Sequence, residues 1–217
     1  MIRRSGEMPE PTVKVRMKES RVIMFTGIVE AVGVVKDICT QNELKRLQIY
    51  APSIMSDLRV NDSVAVNGVC LTVVACDKES FSVQAVPETL RKTNLGLLQE
   101  NNWVNLERPL LPTSRMGGHF VQGHIDDTAK ILEILPEGAA WLVKFSVPKQ
   151  LRRYLVNKGF VAIDGMSLTI IEVSEHEFNI TLIPHTQQVT IAKNYQVGTV
   201  VNIEVDILAK YIEGMKS

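Results

Sequence analysis

Two stretches of this chain are nearly the same: Val64-Ala-Val-Asn-Gly-Val-Cys-Leu-Thr-Val-Val74 and, 97 residues later, Val161-Ala-Ile-Asp-Gly-Met-Ser-Leu-Thr-Ile-Ile171. The same offset aligns Val104-Asn-Leu-Glu107 with Val201-Asn-Ile-Glu204. A register that holds over about 45 residues indicates two tandem copies of one unit. Each copy has about 90 residues, which is enough for a hydrophobic core of its own. We therefore predict two domains and not a stack of short repeats.

Each copy contains six short apolar runs, rich in β-branched residues and separated by turn residues. This pattern predicts an all-β fold of two tandem six-stranded Greek-key β-barrels, with little room for helices. Short helical segments are expected after Pro52 and Pro148. The predicted strands are Ile28–Val35, Leu47–Tyr50, Ser63–Val66, Leu71–Ala75, Phe81–Val86 and Trp103–Leu106, then Thr128–Leu135, Trp141–Ser146, Phe160–Ile163, Leu168–Val173, Phe178–Leu182 and Val200–Asp206.

Both ends of the chain differ from the repeats. Residues 1–23 mix six basic with three acidic residues and lack hydrophobic periodicity, which indicates a disordered leader, with Met24 as an alternative start. Residues 207–217 carry one apolar stripe with helical spacing, typical of a short helix that packs on its own barrel or mediates oligomerisation. The expected domains between them are residues 24–116 and 117–206.

Composition narrows the class of partner. The chain has 24 basic and 24 acidic residues and no long block of one sign, so neither nucleic acid nor an anionic membrane is favoured. No apolar run approaches the ~20 residues of a membrane span. Its three cysteines lack the spacing of a disulfide framework or a zinc site. We expect a reduced, cytoplasmic protein without a bound metal.

The differences between the copies mark the candidate chemistry. Cys70 in the first copy corresponds to Ser167 in the second, and Asn67 corresponds to Asp164. A lone cysteine in an apolar strand is often a small buried hydrophobe. Because the second copy has a serine at the same position, Cys70 is equally well explained as a side chain that faces a ligand at the barrel rim.

The segment Gly117-Gly-His-Phe-Val-Gln-Gly-His-Ile125 holds two of the four histidines. A five-residue separation points their side chains to opposite faces of a strand, which argues against a shared metal. His119 or His124 either caps the barrel entrance or acts as an acid or base. The adjacent glycines suggest a close backbone approach to a flat ligand.

These motifs, with Met24-Phe-Thr-Gly-Ile-Val29 and Glu88-Thr-Leu-Arg-Lys-Thr-Asn94, together resemble the riboflavin synthase family, over residues 24 to 217. The resemblance implies a homotrimer that binds 6,7-dimethyl-8-ribityllumazine, releases riboflavin and uses no cofactor or metal. It places the active site between the first barrel of one subunit and the second barrel of another. It also suggests lumazine synthase as a partner.

The resemblance also implies site residues. Those tied to turnover are Phe25, Ser63, Cys70, His124, Thr169 and Asp206. Ligand contacts expected in the first barrel are Gly27, Ile28, Val29, Cys70, Leu71, Thr72, Gln84, Ala85, Val86, Pro87, Glu88 and Thr89. Those expected in the second barrel are Gly123, His124, Ile125, Lys158, Ser167, Leu168, Thr169, Leu182, Ile183, Pro184, His185, Thr186 and Gln187. We expect Cys70 and Ser63 to serve the first ligand, and Thr169, His124 and Asp206 the second.

Two other classes of protein fit parts of the pattern. A lumazine-binding antenna protein would share the fold without catalysis, but such relatives lose the histidine pair that this chain keeps at His119 and His124. A generic β-barrel transporter or oligosaccharide binder would explain the fold but not the paired polar motifs. The sequence favours the enzyme.

Overall fold

The computed structural model describes residues 24–215, so the predicted leader lies outside the described residues. Twelve strands are present in that part of the chain. The first copy forms β1 (Ala31–Gln41), β2 (Leu44–Tyr50), β3 (Ser63–Val66), β4 (Val69–Cys76), β5 (Ser80–Ala85) and β6 (Trp103–Glu107). The second forms β7 (Asp127–Glu137), β8 (Ala140–Ser146), β9 (Phe160–Ile163), β10 (Met166–Val173), β11 (Glu177–Leu182) and β12 (Val200–Val205).

Each copy closes into a six-stranded antiparallel barrel. The order of neighbouring strands is β1-β2-β5-β4-β3-β6 in the first barrel, and the second has the same order. Strands β3, β4 and β5 follow one another as hairpins while β2 pairs with β5, which is the Greek-key arrangement. The predicted fold is confirmed.

The core of each barrel explains which side chains face outward. Along β4, Val69, Leu71 and Val73 are buried in the first core, whereas the alternate residue Thr72 is exposed. The second barrel repeats this on β10, where Leu168 is in the core and Thr169 is exposed. Strand side chains alternate between faces, so the polar members of both motifs lie on the outer surface. The barrel interiors are filled by apolar side chains.

Short helices add to the barrels. Prolines at the first helical position begin α1 (Pro87–Lys92) and α2 (Pro184–Val189), shortly after β5 and β11. The 3₁₀ turns Pro52–Ile54 and Lys149–Tyr154 confirm the expected helical segments after the two prolines. Further 3₁₀ turns cover Asn94–Leu97 and Ile191–Asn194.

The C-terminal helix α3 covers Ile207–Gly214. It begins at the predicted position, directly after Asp206, whose side chain accepts a 3.0 Å hydrogen bond from the Leu208 N–H and caps the helix. Its apolar stripe is largely exposed, with Tyr211 65% and Ile212 59% accessible. None of the helices in residues 24–215 is long and apolar enough to span a membrane.

A buried polar network joins the two barrels. The Asn202 side chain donates to the Asn67 carbonyl at 2.8 Å, and the equivalent Asn105 donates to the Asp164 carbonyl at 2.9 Å. Asn202 Oδ1 accepts from the Asn94 N–H at 2.7 Å. Most of these bonds occur in pairs related by the repeat, so the barrels pack about a pseudo-twofold axis. The buried asparagine side chains thus find hydrogen-bond partners across the interface, as buried polar groups require.

Candidate functional site

Two short segments cross between the barrels. We call residues 25–29 the first strap and residues 121–125 the second strap. They meet where the Phe25 N–H donates to the Val121 carbonyl at 2.8 Å and the Val121 N–H donates back at 3.1 Å. Phe25 is fully buried at this crossing. Any effect of Phe25 on turnover therefore acts through packing and not through ligand contact of its side chain.

The first strap lies against the second barrel. The Gly27 carbonyl accepts a 2.8 Å hydrogen bond from the Ser167 N–H. Gly27 has a positive φ of 75°, and a Cβ placed there would lie 2.6 Å from the Ser167 Cβ. Val29 packs against the core of the second barrel. Only glycine fits this contact.

The second strap lies against the first barrel in the same way. The Gly123 carbonyl accepts from the Cys70 N–H at 2.9 Å, and Ile125 packs against the first core. The structure therefore places residues 27–29 beside Ser167 and residues 123–125, with His124, beside Cys70. The expected ligand contacts instead grouped residues 27–29 with Cys70 and residues 123–125 with Ser167. The glycines approach the other barrel's backbone closely, which is the reason for their presence.

We call Ser63, Cys70 and Thr72 the first rim. Ser63 pairs with Thr72 between β3 and β4, and its side chain is hydrogen-bonded to Cys70. Burial raises the pKa of the Cys70 thiol, and the charge of Glu204 raises it further, against the lowering effect of the Ser63 bond. Cys70 is therefore a neutral thiol at pH 7 and a weak hydrogen-bond donor, not a preformed thiolate.

We call His119, Phe160, Ser167 and Thr169 the second rim. His119 Nδ1 lies 2.6 Å from Ser167 Oγ, and its ring stacks on Phe160 with centroids 5.2 Å apart. Phe160 occupies the place that Ser63 has in the first copy. The two rims therefore lie on equivalent strands but differ in chemistry: a thiol and two hydroxyls in the first, and two hydroxyls, an imidazole and a phenyl ring in the second.

The environment of His119 restricts its protonation. Burial lowers its pKa, although the charge of Asp206 opposes this, so the ring is neutral at pH 7. Nε2 is buried without a hydrogen-bond partner in the described structure. Nδ1 and Ser167 Oγ share one hydrogen bond, whose donor is set by the tautomer of the ring.

The remaining expected residues lie around these rims in different ways. Leu71, Ala85, Leu168 and Leu182 are buried in the barrel cores, so only their main chains can contact a ligand. Gln84, Val86, Glu88, Ile183, Pro184 and His185 are exposed, and Pro87, Thr89, Thr186 and Gln187 are half-buried, at or next to the starts of α1 and α2. Ile28, Thr72, His124, Lys158 and Thr169 are also exposed.

Several of these side chains have structural partners. Glu88 forms a 2.7 Å ion pair with Arg91 on the surface of α1. Gln187 Nε2 donates to the Leu182 carbonyl at 2.8 Å. The carbonyls of Thr89 and Thr186 each accept a bond from a threonine hydroxyl four residues later. These bonds fix the conformation of both short helices.

Other features lie apart from the rims. A cleft of about 470 Å³ is lined by Asp37, Cys39, Gln41, Asn42, Leu44, Arg46, Gln48 and Gln84, of which only Gln84 is an expected site residue. Within residues 24–215, no group of three or more His, Cys, Asp or Glu side chains could hold a metal ion. The polar residues of the two motifs, and not this cleft, remain the candidate site.

Comparison with known proteins agrees with the duplicated site. The model of the lumazine binding domain matches residues 26–109 and again 122–206. Riboflavin synthase of Schizosaccharomyces pombe is 47% identical over 193 residues, covering 88% of this chain and 92% of its own. That of Actinobacillus pleuropneumoniae is 42% identical over 190 residues, covering 88% of each. The chain belongs to the riboflavin synthase family.

The riboflavin synthase family shares its fold with solved ligand complexes. The structure of LumP with riboflavin superposes with a TM-score of 0.79 at 27% identity, covering 84% of this chain and 99% of that one. LumP with 6,7-dimethyl-8-(1'-D-ribityl) lumazine gives a TM-score of 0.76 at 26% identity, with the same coverage. His119 and Phe160 of the second rim are both absent from the set of site residues that the resemblance implies. From the sequence alone, His119 was only a possible cap, acid or base. Its position in the Gly-Gly-His segment was the available signal, but only the fold brings it to Ser167.

Proposed function

We propose that this member of the riboflavin synthase family converts two molecules of 6,7-dimethyl-8-ribityllumazine into riboflavin and 5-amino-6-(ribitylamino)uracil. One substrate molecule donates a four-carbon unit to the other. The atoms of two substrates equal those of the two products, so the reaction requires no external oxidant or reductant. We accordingly propose that it proceeds without a cofactor or metal.

The observation that carries this proposal is the pair of rims. A reaction between two identical molecules needs two similar binding surfaces, and Cys70-Leu-Thr72 and Ser167-Leu-Thr169 provide them on equivalent strands. It also needs one molecule to be donor and the other acceptor. The difference between Cys70 with Ser63 and Ser167 with His119 supports that division of roles.

Exposed apolar side chains also support a composite site between subunits. Ile28, next to Gly27, and Ile183, just before α2, are 48% and 53% accessible, so both face solvent in the single chain. The apolar stripe of α3 is exposed as well. A partner subunit that covers these surfaces would remove apolar area from water. We therefore propose a homotrimer in which the first rim of one subunit faces the second rim of another.

We propose distinct tasks for the two rims. Attack on ring carbon 7 of the donor and removal of a proton from the carbon-7 methyl of the acceptor each need a hydrogen-bonding group held beside the ring. Cys70, Ser63 and His124 are proposed to serve one ring. Thr169 and Ser167, with the neutral His119, are proposed to serve the other, and a bound water is the alternative nucleophile. Asp206 would act through the charge that it places near His119.

The setting of the reaction is also a proposal. Cys39, Cys70 and Cys76 are free thiols, which fits a reducing cytoplasm. Lumazine synthase is proposed as a partner because its product would be this substrate, and co-sedimentation of the two purified proteins tests this. We propose residues 116 and 117 as the boundary between the two repeats.

The experiment that tests the function supplies the purified protein with 6,7-dimethyl-8-ribityllumazine alone. Riboflavin absorbance should increase, and the pyrimidine product should appear in equal amount. An antenna protein would bind the ligand with a change in fluorescence but form no riboflavin. That second outcome would overturn the enzyme proposal and leave the binding function.

A further inference from the structure

Two buried glutamates hold the straps. Glu107, at the end of β6, is only 5% accessible. Its Oε1 accepts from the Thr26 N–H at 2.7 Å and from the Thr26 hydroxyl at 3.1 Å, and its Oε2 accepts from the Gly27 N–H at 3.0 Å. Both oxygens of one carboxylate therefore bind consecutive residues of the first strap.

The second copy builds the same arrangement. Glu204, on β12, is 2% accessible, and its two oxygens accept from the Gln122 N–H at 2.7 Å and the Gly123 N–H at 2.9 Å. Burying a carboxylate is expensive unless it is fully hydrogen-bonded. The recurrence of this cost at equivalent positions indicates that the strap geometry matters in both halves.

Each glutamate is connected by hydrogen bonds to the barrel on the other side of the interface. Glu107 belongs to the first barrel, but the glycine that it holds accepts the Ser167 N–H of the second barrel. Glu204 belongs to the second barrel, but its glycine accepts the Cys70 N–H of the first. Each glutamate is thus connected through one glycine to the rim on the other barrel.

We propose that Glu107 and Glu204 are positioning residues for the opposite rim: each fixes the strap that completes the ligand surface on the other barrel. Which ligands occupy those surfaces rests on the proposed function. The strap geometry itself does not.

Glutamine is the informative replacement. A carboxylate presents acceptors on both oxygens, whereas an amide presents one acceptor and directs its NH₂ at the second strap N–H. Burial raises the pKa of both glutamates to about 7, against the strap bonds that lower it. The nearby charges are Glu30 for Glu107, and Asp126 with Lys210 for Glu204.

The test measures amide hydrogen exchange by NMR in the full chain. Glu107→Gln should accelerate exchange of the Ser167 amide about 10-fold or more and leave that of Cys70 within about threefold. Glu204→Gln should do the reverse. The exposed Glu137→Gln is the matched control and should change neither amide. Equal acceleration of both amides by either variant, or of neither, would overturn the proposal.

A second arm follows the Cys70 thiol. In a Cys39→Ser, Cys76→Ser background, Glu204→Gln should raise the rate of Cys70 alkylation by iodoacetamide about threefold or more, because it removes a negative charge and loosens the covering strap. Glu107→Gln should leave that rate unchanged. If a glutamine variant does not fold, Glu107→Asp and Glu204→Asp keep the charge, shorten the reach and carry the same reciprocal expectation.

Turnover separates this proposal from the proposed function. Each glutamine variant should lower kcat about 10-fold or more. Reciprocal exchange effects in a protein that forms no riboflavin would support strap positioning and refute the enzyme. Riboflavin formation at the full rate in both glutamine variants would refute the positioning role and leave the enzyme intact.

Discussion

Tyr195 donates a 2.7 Å hydrogen bond from its phenol to Oδ2 of Asp164, and both side chains are buried in the interface between the barrels. Asp164 Oδ1 accepts from the Asn202 N–H and the Asn94 side chain, each at 2.8 Å. The first copy has Asn67 at the position of Asp164. The pseudo-twofold interface therefore contains one ionisable group where strict symmetry would place an amide.

Asp164→Asn should change how stability depends on pH. Burial raises the Asp164 pKa from 3.8 to about 7, despite three hydrogen bonds that lower it. The folded state keeps this proton up to about pH 7, whereas the unfolded chain releases it near pH 4. Folding then binds an extra proton between these values, and this group's contribution to stability falls by roughly 1 kcal/mol per pH unit as pH rises through that window.

The asparagine of this variant does not titrate. Its free energy of unfolding should therefore decline less than that of the wild type between pH 4 and 7, and should exceed it at pH 8. Urea denaturation across pH 4 to 9 measures this. Glu107 and Glu204 titrate in the same window, so part of the slope should remain. Parallel stability curves for the two proteins would show that Asp164 binds no extra proton on folding.

Alanine at Gly27 or Gly123 should destabilise the chain more than alanine at Gly138. All three glycines have positive φ, of 75°, 77° and 61°, which costs about 1 kcal/mol for an L-residue. A Cβ at Gly138 meets nothing within 4 Å, whereas one at Gly27 or Gly123 meets the other barrel at 2.6 Å. We expect a further loss of about 2 kcal/mol or more in unfolding free energy for these two variants.

The same glycines show what the sequence could and could not predict. The internal repeat and the short β-branched runs between turns predicted the strands and the closure of each barrel. The contact of each strap with the opposite barrel was not predictable, because Ile28 and Val29 are β-branched like the strand that follows. Only the structure shows that β1 begins at Ala31 and that Gly27 and Val29 contact the other barrel.

Cys70→Ser should lower turnover more than binding. The thiol is neutral and hydrogen-bonded to Ser63, and serine keeps a donor of similar geometry but differs in size and polarisability. We expect kcat to fall about 10-fold or more while KM stays within about threefold. Steady-state kinetics with the lumazine substrate measure both, and Cys39→Ser, which changes an exposed thiol, is the control. Unchanged kcat would remove Cys70 from the mechanism.

His119→Ala and His119→Asn should differ. An asparagine amide nitrogen reaches about where Nδ1 lies, so it can donate to Ser167 Oγ but cannot titrate. We expect kcat to fall about 100-fold for alanine and less than about 10-fold for asparagine.

The pH profile provides a second readout for His119. Its pKa is lowered from 6.5, so the wild type should lose activity only on the acid side of that value, as the ring becomes charged. This acid limb should be absent from the profile of His119→Asn. Equal losses of kcat in the two variants would assign His119 a packing role on Phe160.

Polar substitution of the α3 stripe should separate ligand binding from turnover. Leu208, Tyr211 and Ile212 are more than half accessible in the single chain, and apolar side chains this exposed along one helix face usually pack against a partner. Replacing all three by serine should shift the sedimenting species from trimer to monomer. The rims lie outside this helix, so riboflavin should still quench protein fluorescence on binding. Turnover should fall about 100-fold, because the opposing rim would no longer be held nearby.

The control is Val197→Ser, which changes an exposed apolar residue outside α3. This variant should leave both the sedimenting mass and the activity unchanged. A monomer that retains full activity would refute both the trimer and the shared active site.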